Sequence, residues 1–316
     1  MISSNQFEHR FRLLVVSQSK RVVITGGSGF LGRHVLRELK ARSIESFPVL
    51  RVKSQNSSRS PGLTDTGVDS SSSVTQLSDF ISKIDGDVVL VHLATHYSGS
   101  HNESDLEKFV ESNIAFPLRL VEALANVKPG STVVNISTLF QHFEGQSYSP
   151  LSLYGASKEA FLRLLQYYAE FELLRVVDLT IGDTYGRDDT RGKLMTILIN
   201  SVLEDREIAL GSGLQNMSLI HVSDAARAVV SIIENSNSVP KGEIWRVQAP
   251  PSENILVKDL IKRIEEVSGK KIKHSFDPSR DRRREIYSPV FGLEPLLGYE
   301  PSIDLSEGIK MLLEDN

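Results

Sequence analysis

Tyr154 and Lys158, in the run Tyr-Gly-Ala-Ser-Lys, stand four residues apart, so on a helix they share a face. An ammonium beside a phenol stabilises the phenolate and lowers its pKa. Such a tyrosine can protonate a carbonyl oxygen, or deprotonate an alcohol, near neutral pH. Between the pair, Gly155, Ala156 and Ser157 are small and leave room for a ligand. Upstream, Val133-Val-Asn-Ile-Ser137-Thr138 reads as a strand ending in two hydroxyls. Earlier still, the apolar run Arg21 to Thr25 leads into Gly26-Gly-Ser-Gly29-Phe30-Leu31-Gly32, where a helix begins. Gly26 permits the tight turn, Gly29 lets backbone approach a pyrophosphate, and Gly32 lets helix and strand pack closely. The helix N-terminus then offers free N–H groups and a partial positive charge to an anion. Either motif alone is common. Together, several βα units apart and with hydroxyls between them, they point to carbonyl or alcohol chemistry beside a bound dinucleotide.

The second strand bears on which dinucleotide. An NAD site places an acid there to hold the ribose 2′-hydroxyl. Here the run is Val49-Leu-Arg51-Val-Lys53-Ser54, with no acid. Arg51 suits a 2′-phosphate instead, and Arg33 stands close enough in sequence to assist. The expectation is NADP(H), with NAD(H) as the alternative.

These groups need a scaffold. Strands are read at Arg21–Thr25, Phe47–Val52, Val88–Leu93, Ser131–Ile136 and Leu174–Thr180, alternating with helices at Phe30–Ala41, Leu106–Asn126 and Ser152–Glu172. That alternation predicts an α/β fold: a Rossmann-like doubly wound parallel sheet. Later segments are strand-like at Glu207–Leu210 and Ile244–Val247, and helical at Val257–Ser268 and Leu305–Leu313. The division expected is a dinucleotide-binding domain over 1–182, with 1–19 as an extension, and a smaller C-terminal substrate-binding lobe over 183–316. Some segments of the lobe would return to the main sheet. The serine-rich stretch from Ser54 to Ser73 reads as a mobile loop.

Composition narrows the class. The 316 residues are 40% apolar and 24% charged, ordinary for a globular chain. A net charge of −4 gives no basic footprint for nucleic acid. With no cysteine, disulfides, thiolate metal sites and cysteine nucleophiles are excluded. The eight histidines show no metal-ligand spacing. No apolar run approaches the roughly 18 to 20 residues of a membrane span, and no secretory leader is apparent. A cytoplasmic enzyme is expected.

In several segments at once the chain resembles the extended short-chain dehydrogenases/reductases, the sugar-nucleotide epimerase/dehydratase superfamily. These are Thr25 to Gly32, His92-Leu-Ala-Thr95, Asn113, Ile136-Ser-Thr138, Tyr154 to Lys158 and Leu219-Ile-His-Val-Ser-Asp224. The resemblance implies that Thr138 positions the reacting oxygen, that Tyr154 is the acid or base, and that Lys158 also contacts the nicotinamide ribose. It implies cofactor contacts at Phe30, Leu31, Leu93, Ala94, Thr95, Ile181 and Thr184, with Asp69 and Ser70 beside the adenine. Asn113 would support the lysine through its helix. Dimerisation through two long helices is common in such proteins, so a homodimer is expected.

Dehydratases of the superfamily follow the hydroxyl with Asp-Glu, whereas Thr138 is followed by Leu139-Phe140. The segments Gln141-His142-Phe143 and Asp183-Thr-Tyr-Gly-Arg are similar to the reductases exemplified by CDP-abequose synthase. That likeness implies NADPH-dependent reduction of the 4-keto group of a CDP- or dTDP-linked deoxyhexose in O-antigen-type biosynthesis. The alternatives are an epimerase with retained NAD and a non-catalytic cofactor-binding protein. Gln141, His142 and Asp183 would face the sugar. Arg191, Lys193 and Arg282 would meet the nucleotide diphosphate.

Overall fold

The structure, a computed structural model, describes residues 20–51, 66–289 and 293–314. The extension expected over 1–19 and most of the serine-rich stretch lie outside them. The strands are β1 (Arg21–Thr25), β2 (Glu45–Val49), β3 (Val88–His92), β4 (Thr132–Thr138), β5 (Arg175–Ile181), β6 (Asp183–Tyr185), β7 (Ile208–Leu210), β8 (Asn216–His221), β9 (Ile244–Gln248), β10 (Glu253–Leu256), β11 (His274–Phe276) and β12 (Glu294–Pro295). The α-helices are α1 (Phe30–Ala41), α2 (Val74–Ser82), α3 (Glu103–Val110), α4 (Phe116–Val127), α5 (Leu153–Glu170), α6 (Leu194–Leu203), α7 (Val222–Glu234), α8 (Val257–Ser268) and α9 (Leu305–Glu314).

Seven strands form one sheet in the order β12-β9-β5-β4-β3-β1-β2, all of them parallel. Its inner strands are mostly apolar on both faces rather than alternating, because helices cover both faces, with Asn135, Ser137 and Asp178 as buried polar exceptions on β4 and β5. Alternate residues serve opposite layers. Val22 and Ile24 pack with α1 and α7, whereas Val23 and Leu90 pack with α2, α4 and α5. A third core joins α6, α8 and α9 to residues of β8 and β10. There β6, β8 and β10 make a small mixed sheet. Thus β9, β12 and α7 build onto the large sheet although they follow residue 183. The order reverses between β1 and β3, so the cleft beyond the strands' carboxyl ends lies there, as open α/β sheets require for a ligand site.

Two readings change. The helix expected over 106–126 is α3 and α4 joined by a π-turn at Glu111–Ala115. Pro117 has no N–H to give the carbonyl four residues back, and a widened turn absorbs the defect. The end of the serine-rich stretch is ordered. Ser73 accepts from Gln76 N–H while Gln76 reaches back to the Ser73 N–H, a capping box that starts α2. No helix among the described residues is long and apolar enough to cross a membrane.

Candidate active site

The site begins at the turn between β1 and α1. Gly26 has φ +69°, and a Cβ there would lie 2.5 Å from Ala94 N. A Cβ on Gly32 would overlap the Gly26 carbonyl oxygen. Gly29 is the N-cap and has no side chain to occupy the place. Arg33 N–H to Gly29 O is the first bond of α1, leaving the N–H groups of Phe30, Leu31 and Gly32 to an outside acceptor. These residues therefore fit a dinucleotide pyrophosphate. Behind the turn, the Thr25 hydroxyl meets His92 Nδ1 at 2.9 Å and accepts from Ala94 N–H at 3.1 Å, so β3 ends where β1 turns.

A cavity of about 960 Å³ opens from this turn. At one end it is lined by Arg33, Arg51 and Ser70, and along its length by Leu93, Ala94 and Thr95. Thr138 and Tyr154 meet it from the ends of β4 and α5. Ile181, Asp183, Thr184, Arg191 and Lys193 close the far side. Sequence reasoning missed Tyr97, Leu139, Phe140, Met195 and Met217, which also line it. Tyr97 sets its ring edge against Tyr154 at 5.0 Å and carries Lys193 Nζ 3.9 Å above its face. Only the step from the histidine of His92-Leu-Ala-Thr95 to residue 97 could have flagged it.

Other expected residues take different places. Gln141 is fully buried, accepting from Thr138 N–H at 3.1 Å and donating to Glu159 Oε2 at 2.7 Å. It braces Thr138 against α5 and does not face a sugar. His142 is 1% exposed and pairs Nδ1 with the Gln146 carbonyl at 3.0 Å. Both are turned inward because Thr138 caps a single 3₁₀ turn, Leu139–Gln141, that folds the chain back on α5. Asp69 is not on the cavity. Its carboxylate accepts from Ser71 N–H and hydroxyl, closing a local turn. Arg282 lies off the lining, with its guanidinium 5.8 Å from the Phe140 ring centre. Among its neighbours, Arg284 is occupied by the Pro150 carbonyl at 2.7 Å.

Asn113 is fully buried and also off the lining. It accepts from His96 N–H at 2.7 Å and from the Thr95 hydroxyl at 3.1 Å, and donates to Ser157 Oγ at 2.8 Å. It therefore acts on the site by pinning Thr95 to the turn of α5 that carries Lys158. It can do so because it stands in the π-turn, where the helix bulges toward α5.

Burial controls the charges. Burial, with Tyr97 adding, pushes the Tyr154 phenol up to about 12, while Thr95 and Arg191 pull it back. The expected lowering of this phenol by Lys158 is therefore not met, because burial outweighs the cations around it, and Tyr154 is held as the neutral acid. Lys158 is 3% exposed and off the lining. Burial brings its ammonium down to about 8, and Asp178 on β5 opposes that fall. Asp178 is itself fully buried, accepting from Ser137 Oγ at 2.5 Å and Asn135 Nδ2 at 2.7 Å, with Arg246 Nε 3.5 Å away. Burial pushes the Asp183 carboxyl up, and Lys193, Arg191 and Arg282 draw it back. On the lining, four cations (Arg33, Arg51, Arg191, Lys193) outnumber two acids (Glu111, Asp183), which suits polyanions.

Comparison with known proteins agrees with this geometry. The NAD dependent epimerase/dehydratase family matches residues 22–247. CDP-abequose synthase of Salmonella typhimurium is 25% identical over 298 residues, covering 93% of this chain and 97% of that protein. The dTDP-4-dehydro-6-deoxyglucose reductase of Escherichia coli is 27% identical over 316 residues, covering 93% and 96%. Among solved structures, MoeE5 with UDP-glucuronic acid and NAD aligns with a TM-score of 0.75 at 23% identity, over 93% of this chain and 98% of that one. UDP-glucose 4-epimerase of Thermus thermophilus with NAD aligns at 0.72, also at 23% identity and over 93% and 98%.

Proposed function

The chain belongs to the NAD dependent epimerase/dehydratase family, and within it we propose an NADPH-dependent 4-ketoreductase of a nucleotide-linked deoxyhexose. The observation that carries this reading is Arg51. It stands just beyond β2 on the cavity lining, where an acid would select NAD. A preference for NADPH suits net reduction by an exchanging cofactor. The relatives named for CDP-abequose synthesis and for dTDP-4-dehydro-6-deoxyglucose reduction support the substrate class. The base would be cytosine or thymine, and the sugar a 4-keto-deoxyhexose.

When bound, the reduced nicotinamide supplies hydride to the ketone carbon. Tyr154, held neutral by burial, gives its proton to the oxygen as charge develops there. Thr138 Oγ already accepts from Phe140 N–H at 3.3 Å, so its own hydrogen is free for the same oxygen. Lys158, four residues on along α5, would supply positive charge to the site. Leu139 and Phe140 put no carboxylate beside the sugar, which disfavours elimination of water.

The test begins with cofactor released from freshly purified protein and the Kd of NADPH against NADH. Exchangeable NADP(H), with Arg51→Ala weakening NADPH more than NADH, is expected. Non-exchanging NAD would favour the epimerase reading, to which the NAD-bound structural neighbours lend weight. Tyr154→Phe should cut turnover at least a hundredfold with dinucleotide Kd little changed. A second copy of the chain is the proposed partner, docking on the exposed stripe Leu164, Tyr167 and Phe171 of α5 and its C-terminal cap.

A further inference from the structure

Arg191 stands apart from the other cations of the cavity because its guanidinium is fixed before any ligand arrives. Nε meets Asp189 Oδ1 and Nη2 meets Asp189 Oδ2, both at 2.7 Å. Nη2 also reaches the Thr184 carbonyl at 2.8 Å and the Thr184 hydroxyl at 3.1 Å. The Asp189 side chain is 2% exposed, so the clamp is built into the protein. The guanidinium carbon stacks 4.2 Å from the centre of the Phe30 ring, and Phe30 is the first residue of α1. Among the described residues, Nη1 makes no hydrogen bond. Two further links hold the same loop on α1. Arg33 Nη2 donates to the Asp188 carbonyl at 3.1 Å, and Arg37 lies 3.9 Å from the Asp188 carboxylate.

The sequence placed Arg191 at the sugar's diphosphate. The fold places it over the turn whose free N–H groups await a different diphosphate. We propose that Arg191 is a dinucleotide-binding residue, its clamped guanidinium closing over the cofactor's pyrophosphate from the side opposite the glycine turn. Backbone N–H groups from α1 and a planar donor from the loop after β6 then hold one anion between them. Its partner Asp189 cancels much of its net charge. The contribution is therefore a fixed donor edge with little ordering cost, rather than long-range attraction.

The inference rests on dinucleotide binding alone, which the ketoreductase and epimerase readings share. The test is binary binding without sugar substrate, followed by calorimetry or nicotinamide fluorescence. Arg191→Gln should raise the Kd of NADPH and of NADH by the same factor, about tenfold or more. This separates it from Arg51→Ala, whose effect should be confined to NADPH. The Kd of CDP and of dTDP should stay within twofold in Arg191→Gln. Asp189→Asn, which loosens the clamp but keeps the arginine, should raise both dinucleotide Kd values by a smaller factor. Apo thermal unfolding of each variant shows whether it is folded. Unchanged dinucleotide Kd in either folded variant, or a selective loss of CDP or dTDP binding, would overturn the proposal. Neither outcome would touch the ketoreductase reading.

Discussion

Lys158, the charge the proposed chemistry would use, is also a burden on the fold, and the two can be separated. Its ammonium falls from the ordinary 10.5 to about 8, chiefly through burial, with Asp178 opposing. At pH 7 the lysine is protonated in the folded and the unfolded chain alike. The folded protein then bears the whole cost of the shift, about 3 kcal/mol. Above pH 8 the folded-state lysine sheds its proton while the unfolded-state lysine keeps it to about 10.5, so the cost shrinks to about 1 kcal/mol at pH 10. Lys158→Met keeps the length and removes the charge. Asp178 is not orphaned by the change, because Ser137, Asn135 and Arg246 remain on it. The variant should be more stable than the wild type by about 3 kcal/mol at pH 7, and by about 1 kcal/mol at pH 10. With an unfolding entropy of about 2.1 cal/mol/K per residue, the gain in Tm is roughly 5 °C at pH 7 and 1 to 2 °C at pH 10. Cofactor-free protein in thermal scans at both pH values reads this directly. A destabilised variant at pH 7, or an equal gap at the two pH values, would refute the reasoning. Turnover should fall in the variant regardless, since stability and activity pull this residue in opposite directions.

Two further outcomes follow from the same geometry. Gly32→Ala forces a methyl into the Gly26 carbonyl, so dinucleotide Kd should rise more than a hundredfold with near-native circular dichroism; tight binding would show that the turn can yield. Gln141→Ala leaves the Thr138 N–H and Glu159 without their shared partner, and should cost about 1–3 kcal/mol in chemical denaturation. Its kcat should fall with sugar KM nearly unchanged, whereas a rise in KM alone would restore Gln141 as a sugar contact.

Legibility in the sequence divides along a physical line. The βα units were readable because each carries its own signal: a short apolar run, then a helical period. β1 and α8 needed no tertiary information to be bounded. The glycine turn was readable for a related reason, since its residues are dictated by backbone geometry within seven positions. α6 and α7 escaped because their apolar faces make sense only against cores assembled from distant segments. Leu198 needs Leu260 and Ile309, and Val229 needs Val35 and Leu39. β12 has only two residues, and the pairing that defines it lies on β9.

Within the site, the same line separates what a residue is from where its side chain goes. Tyr154 opens α5 and Thr138 closes β4, so the direction of a helix or strand aims them at the cleft. Gln141 and His142 follow Thr138 by three and four positions, and their type suggested a sugar contact. A single 3₁₀ turn intervenes, capped by the Thr138 side chain, and it rotates both inward while leaving Leu139 and Phe140 on the cavity. Arg191 shows the converse. Its type was right for a diphosphate, but the clamp that chooses between two diphosphates is made by Asp189, Thr184 and Phe30, which only folding brings together. Residue type thus announces the chemistry available, and the loops after β4 and β6 decide which molecule receives it.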